Sequence, residues 1–132
     1  MNPDPPDLRR LQLFDSLTDD ELEQLSALFE VRTVEAGRRL TMEGASGYSF
    51  FVIQEGTATV TRAGQIIRIL EPGDFFGEVA ILDSGRRTAD VVATSAMRLV
   101  VMLGAEFRRL QTQFPEVARR IEAAATGRSD RP

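Results

Sequence analysis

Five glycines, Gly37, Gly44, Gly56, Gly64 and Gly73, stand seven to twelve residues apart in the first part of the chain. The runs between and beside them, at 31–35, 39–42, 48–54, 57–62 and 65–70, are rich in Val, Ile, Thr and Phe. Short strand-prone runs with turn residues at this spacing predict a β-sandwich or barrel-like roll. Glu55-Gly56 and Ala63-Gly64 read as tight hairpin turns, and Pro72-Gly73-Asp74 as a strong turn. Two further strands are expected at 88–94 and 97–103, the second ended by Gly104.

Helical patterns flank this central region. Residues 8–14 form a short amphipathic stretch. Thr18-Asp19-Asp20-Glu21 reads as a capping box, followed by Leu22, Leu25, Leu28 and Phe29 at helical spacing. Residues 105–113 place Phe107 and Leu110 on one face. Pro115 suits the first position of a last helix over 116–125, with Val117, Ile121 and Ala124 as its apolar stripe. The expected division is a loose arm at 1–7, where three prolines and two aspartates cluster, one domain over 8–125, and a tail at 126–132. The fold class is therefore α+β, mainly β.

What is missing narrows the chemistry. The 132 residues include no Cys, no His and no Lys; all 16 basic residues are Arg. Disulfides, thiolate nucleophiles, imidazole bases, His-ligated metals and Schiff-base lysines are excluded. No catalytic residue, metal or cofactor is expected, and the chain reads as a non-enzyme. A net charge of −4 argues against a nucleic-acid surface. With neither a run of about 20 apolar residues nor a secretory leader, no membrane span and a cytoplasmic location are the expectations. The all-arginine basic set suggests a GC-rich bacterial source.

The functional signal lies in Asp74-Phe75-Phe76-Gly77-Glu78-Val79-Ala80-Ile81-Leu82, continued by Asp83-Ser84-Gly85-Arg86-Arg87-Thr88-Ala89-Asp90-Val91. It reads as a turn, a short apolar helix, a second turn and a strand that opens with arginine. The first N–H groups of a helix have no internal partner and suit a phosphate. Arg87, nine residues after Glu78, can bring a guanidinium fork to the same anion. Glu78 can accept from a sugar hydroxyl. Each residue alone has an ordinary structural reading; their joint spacing points to a nucleotide. The lysine and threonine of an NTP-cradling loop are absent.

The run 76–82 with Arg87-Thr88-Ala89 and Val91 resembles the phosphate-binding cassette of the cyclic nucleotide-binding domain family. That family includes the catabolite activator protein, the regulatory subunits of cyclic-AMP-dependent protein kinase and the modules of cyclic-nucleotide-gated channels. The resemblance covers about residues 8–125. It implies a double-stranded β-helix, or jelly-roll β-roll, flanked by N-terminal helices and two C-terminal helices. It also implies a sensor of cyclic AMP or cyclic GMP, with cyclic AMP favoured by a bacterial source, signalling through the C-terminal helices. Gly77, Val79 and Ala80 would approach the phosphate with backbone N–H groups, Glu78 would hold the 2′-hydroxyl, and Arg87 would pair with the phosphate. Thr88 would reach the phosphate or base, and Ala89 completes the Arg-Thr-Ala motif. Arg128, thirteen residues after Pro115, matches the base-capping arginine of bacterial channel modules. The implied partners are a cyclic nucleotide and a homodimer mate or regulated protein. The competing reading is a ligand-free jelly-roll interaction or dimerisation domain, which the paired Glu78 and Arg87 speak against.

Overall fold

A computed structural model describes residues 1–41, 49–77 and 89–127. Its described residues form two four-stranded antiparallel sheets and a cap of helices. The strands are β1 (Glu30–Val34), β2 (Arg39–Thr41), β3 (Ser49–Glu55), β4 (Ala58–Arg62), β5 (Gln65–Leu70), β6 (Phe75–Phe76), β7 (Asp90–Ala93) and β8 (Met97–Leu103). One sheet, A, runs β1-β8-β3-β6; the other, B, runs β2-β7-β4-β5. This is the jelly-roll β-roll expected from the chain. β6 was not expected: the sequence gives Phe75 and Phe76 to a turn, but they pair with β3 as Val52↔Phe75 and Phe51↔Phe76.

The helices are α1 (Pro5–Arg9), α2 (Asp19–Ser26), α3 (Gly104–Gln113) and α4 (Pro115–Gly127), with a single 3-10 turn at Gln12–Phe14. The capping box of α2 forms as read: Glu21 N donates to Thr18 Oγ1 at 3.1 Å, and Thr18 N donates to Glu21 Oε1 at 2.9 Å. α4 begins at Pro115, whose missing N–H costs nothing at a helix start. The helix continues two residues past the expected end, to Gly127.

The apolar residues divide into two clusters on opposite faces of sheet A. In the first, the helices bring Leu8, Phe14, Leu22, Leu25, Phe29, Phe107, Leu110, Val117 and Ile121 against Phe50, Val52, Phe75, Val100 and Met102 of the sheet. Phe50 meets Phe107 edge-on at 5.3 Å and Phe75 at 5.7 Å between ring centroids. In the second, Phe51, Ile53, Phe76, Leu99 and Val101 of sheet A face Ala58, Val60, Leu70, Val91 and Ala93 of sheet B. Successive strand residues point to opposite faces, so Phe50-Phe51-Val52-Ile53 feeds both clusters alternately. Burying one such side chain stabilises by about 1.5–3 kcal/mol.

The segment 1–7, expected to be a loose arm, is docked. Pro3 is buried, and Asn2 Nδ2 donates to the Ser26 and Phe29 carbonyls at 3.1 and 2.8 Å. Val31 N donates to Met1 O at 2.7 Å. One amide side chain thus serves carbonyls at and just beyond the end of α2, where the last helical carbonyls lack internal partners. At the other end of the chain Arg120 fastens α4 to the 3-10 turn. Its guanidinium donates to the Gln12 and Leu13 carbonyls at 3.3 and 3.0 Å and to Ser16 Oγ at 2.6 Å, beside Asp15 at 3.6 Å.

Candidate functional site

The segment that carries the expected site is held at both ends. On the leading side, Ile53 N donates to Asp74 O at 2.9 Å and Gly73 N donates to Ile53 O at 2.8 Å. Asp74 closes its own turn by accepting the Glu71 N–H on Oδ2 at 2.8 Å. β6 then adds to sheet A, and Phe76 stacks on Phe51 with centroids 4.6 Å apart and planes 9° apart. Gly77 follows, buried, at φ +93°. Only glycine adopts that conformation without steric cost.

On the trailing side, Ala89 is fully buried in the core between the sheets. β7 follows and pairs with β4 as Val60↔Val91 and Ala58↔Ala93, and with β2 on its other edge. The structure therefore anchors the leading end of the segment to sheet A and its trailing end to sheet B. Of the expected site residues it places Gly77 and Ala89. Glu78, Val79, Ala80, Arg87, Thr88 and Arg128 lie outside the described residues, as do Ile81 and Leu82.

One charged residue near these ends was not singled out from the sequence. Arg68 of β5 pairs with Val60 of β4, and Val60 pairs with Val91 of β7, so the three form one row across sheet B. Directly paired residues project to the same face, and Val60 and Val91 are fully buried. Arg68 thus shares the face that looks into the roll. Its side chain is 25% exposed, and its ionic partner is Asp74, at 3.9 Å. The signal was available: arginine interrupts Ile66-Ile67-Arg68-Ile69-Leu70.

Open clefts among the described residues lie both away from the segment and beside its leading end. One of about 790 Å³ is bordered by Thr33, Glu35, Arg38, Glu55 and Arg98. Another of about 450 Å³ lies between Arg120, Asp15 and the turn at Gly73 and Asp74. Among the described residues no group of three His, Cys, Asp or Glu could hold a metal ion, and no helix is long and apolar enough to cross a membrane.

Comparison with known proteins adds what the described geometry leaves open. The family model described as the cyclic nucleotide-binding domain matches residues 31–114. A cAMP-dependent protein kinase regulatory subunit of Eremothecium gossypii is 34% identical over 113 residues, which cover 85% of this chain and 25% of that protein. A cGMP-dependent protein kinase, isozyme 2, of Drosophila melanogaster is 31% identical over 123 residues, covering 87% of this chain and 13% of that protein. The catabolite activator protein of Thermus thermophilus superposes with a TM-score of 0.78 at 27% identity, over 86% of this chain and 56% of that one. The chain spans a quarter or less of the length of these two kinase relatives.

Proposed function

We propose, from the premise that this chain belongs to the cyclic nucleotide-binding domain family, that it is a regulatory module whose segment 77–89 binds a purine 3′,5′-cyclic nucleotide. The observation that carries the reading is the coincidence of the family match over 31–114 with the Phe76-Gly77-Glu78 and Arg87-Thr88-Ala89 motifs inside it.

The chemistry follows from the ligand's single negative charge. An unpaired charge is costly to bury, so the pocket needs a cation and several donors. Arg87 supplies the cation as a two-pronged donor to the exocyclic oxygens. The backbone N–H groups of Gly77, Val79 and Ala80 supply further donors at a helix start. Glu78 accepts from the 2′-hydroxyl, which a deoxyribose lacks. Thr88 donates to the phosphate or reaches the base, and Ala89 completes the motif with its side chain packed in the core between the sheets. The positive φ of Gly77 and the burial of Ala89 between the sheets support this reading. Arg128 covers the base from beyond α4.

The output runs through α3 and α4. A ligand shifts an equilibrium only by preferring one state. The contacts at stake are Phe107 and Leu110 on α3 and the Arg120 attachment of α4. Amides of α4 gain hydrogen-exchange protection when ligand is added; equal protection with and without it excludes this route. The phosphate and ribose contacts are common to cyclic AMP and cyclic GMP, and Thr88 is compatible with both. The sequence-based expectation of cyclic AMP rests on a bacterial composition alone. Homodimer formation or a regulated partner domain would receive the signal.

Thermal unfolding tests the binding directly. At a hundredfold excess over Kd a ligand stabilises by about 2.7 kcal/mol. A cyclic purine nucleotide raises the melting temperature by several degrees, and the linear 5′-monophosphates do not. If neither cyclic nucleotide moves it, the domain is a ligand-free interaction roll.

A further inference from the structure

The edges of the two sheets are not equivalent. The outer strands are β1 and β6 in sheet A and β2 and β5 in sheet B. Natural sheets guard such edges with very short strands, bulges and inward-pointing charges. β6 has two residues, and β2 has three with a register shift against β7. β5 carries a register shift against β4 and the inward Arg68. β1 has none of these devices: it keeps unbroken register with β8 from Glu30↔Val101 to Val34↔Met97. Its edge is half covered, because Val31 N donates to Met1 O, away from β8. Bonding direction alternates along an antiparallel strand, so the N–H and C=O of Thr33 also face outward. Thr33 is exposed, and among the described residues no backbone bond outside the ladder reaches either group.

The free half of this edge borders the charged cleft of about 790 Å³, where Thr33, Val34, Glu35, Arg38 and Arg98 meet. Thr33 pairs with Arg98, so both project to one face. Arg98 Nε donates to Gln54 Oε1 at 3.0 Å. Among the described residues its other four N–H donors find no acceptor, and it makes no ion pair. A patch that holds both signs of charge can complement itself, which a twofold interface requires. We propose that a second copy of this chain pairs with the free half of β1, antiparallel about a twofold axis at Val34. Sheet A then runs on from one copy into the other. With Val31 taken by Met1, this register sets Thr33 opposite Glu35 of the second copy, and Val34 opposite its own equivalent. Glu35 of the second copy then shares a face with Arg98 at two strand spacings, about 10 Å between backbones. Two long side chains span that distance, and the symmetry forms the pair twice. The inference is independent of the cyclic-nucleotide reading.

Sedimentation equilibrium of the full chain without nucleotide, from about 10 µM to about 1 mM, covers the range of weak association. Melting temperatures measured alongside report folding. The native chain is dimeric at the upper end. Thr33→Pro removes an N–H that the monomer leaves unbonded, at an edge position where proline is tolerated. Its dimer is weaker by roughly tenfold or more. Glu35→Arg and Arg98→Glu each weaken the dimer, and an equimolar mixture of the two recovers it, because each copy then meets the opposite sign. Should proline fail to fold, the charge pair carries the test. A native chain that stays monomeric at the highest concentration overturns the proposal. So does a folded Thr33→Pro chain that dimerises within about twofold of the native one, or a mixture no tighter than its components. None of these results bears on nucleotide binding, which thermal unfolding reads separately.

Discussion

Sheets A and B each have four strands, yet they live in different surroundings. Sheet A has apolar cover on both faces: helices on one side, sheet B on the other. Its inner strands read as unbroken apolar runs, Phe50-Phe51-Val52-Ile53 in β3 and Leu99-Val100-Val101-Met102 in β8, all buried. Among the described residues, sheet B has apolar cover on one face only. β4 and β7 alternate between buried and half-buried residues, and Ile66 and Ile69 of β5 are 66% and 61% exposed. The difference assigns roles. A sheet packed on both sides is a scaffold with no room for a ligand. A sheet with one inward face, carrying a three-quarters-covered arginine, can meet one.

Three substitutions probe that contrast. Phe50→Ala removes a fully buried ring that touches Phe75 and Phe107, and is expected to cost about 3–5 kcal/mol. Urea unfolding reads this; a loss under about 1 kcal/mol means that the helical face of sheet A is not tightly packed. Gly56→Ala comes next. Gly56 sits where the chain leaves sheet A for sheet B, at φ +91°, and an added Cβ would lie 2.4 Å from Ala96 O and 2.9 Å from Met97 Cα. Both neighbours are backbone, in the stretch where the chain crosses back from β7 to β8, so relief requires the two crossings to separate. About 1–3 kcal/mol is expected, and an unchanged midpoint in the same experiment would show that the crossings yield freely. Ile69→Thr is the smallest. It lies on the outward face of β5, so unfolding should shift by less than about 0.5 kcal/mol. A larger loss means that a partner covers that face.

The same contrast explains what could be read from the chain. Strands of both sheets were legible because Gly56, Gly64 and Gly73 mark their ends, and all three adopt positive φ. Ala63 joins Gly64 at φ +53°, giving the two-residue hairpin turn that the pair suggested. The capping box at Thr18 was legible because it is local. β6 was not, since a two-residue strand has no period and exists only through its pairing with β3. Nor was the docking of Met1 and Asn2, whose partners, the Val31 N–H and the Ser26 and Phe29 carbonyls, lie more than twenty residues away. For the site, motif spacing pointed to Gly77 and Ala89; the structure places Gly77 directly after β6 of sheet A and Ala89 directly before β7 of sheet B, and the residues between them lie outside the described ones. Arg68 stands out in the sequence as a break in the apolar run 66–70, but its inward direction comes from the pairing with Val60.

The central claim is that Arg87, with the backbone N–H groups of Gly77, Val79 and Ala80, holds a cyclic phosphate. Calorimetric titration of Arg87→Leu beside the native chain, with whichever cyclic nucleotide binds the native chain more tightly, tests it most directly. The account predicts a loss of about 2–4 kcal/mol, or roughly 30- to 700-fold in Kd, as expected when a buried anion loses its partner. An Arg87→Leu protein that folds and binds within about twofold of the native chain would contradict it.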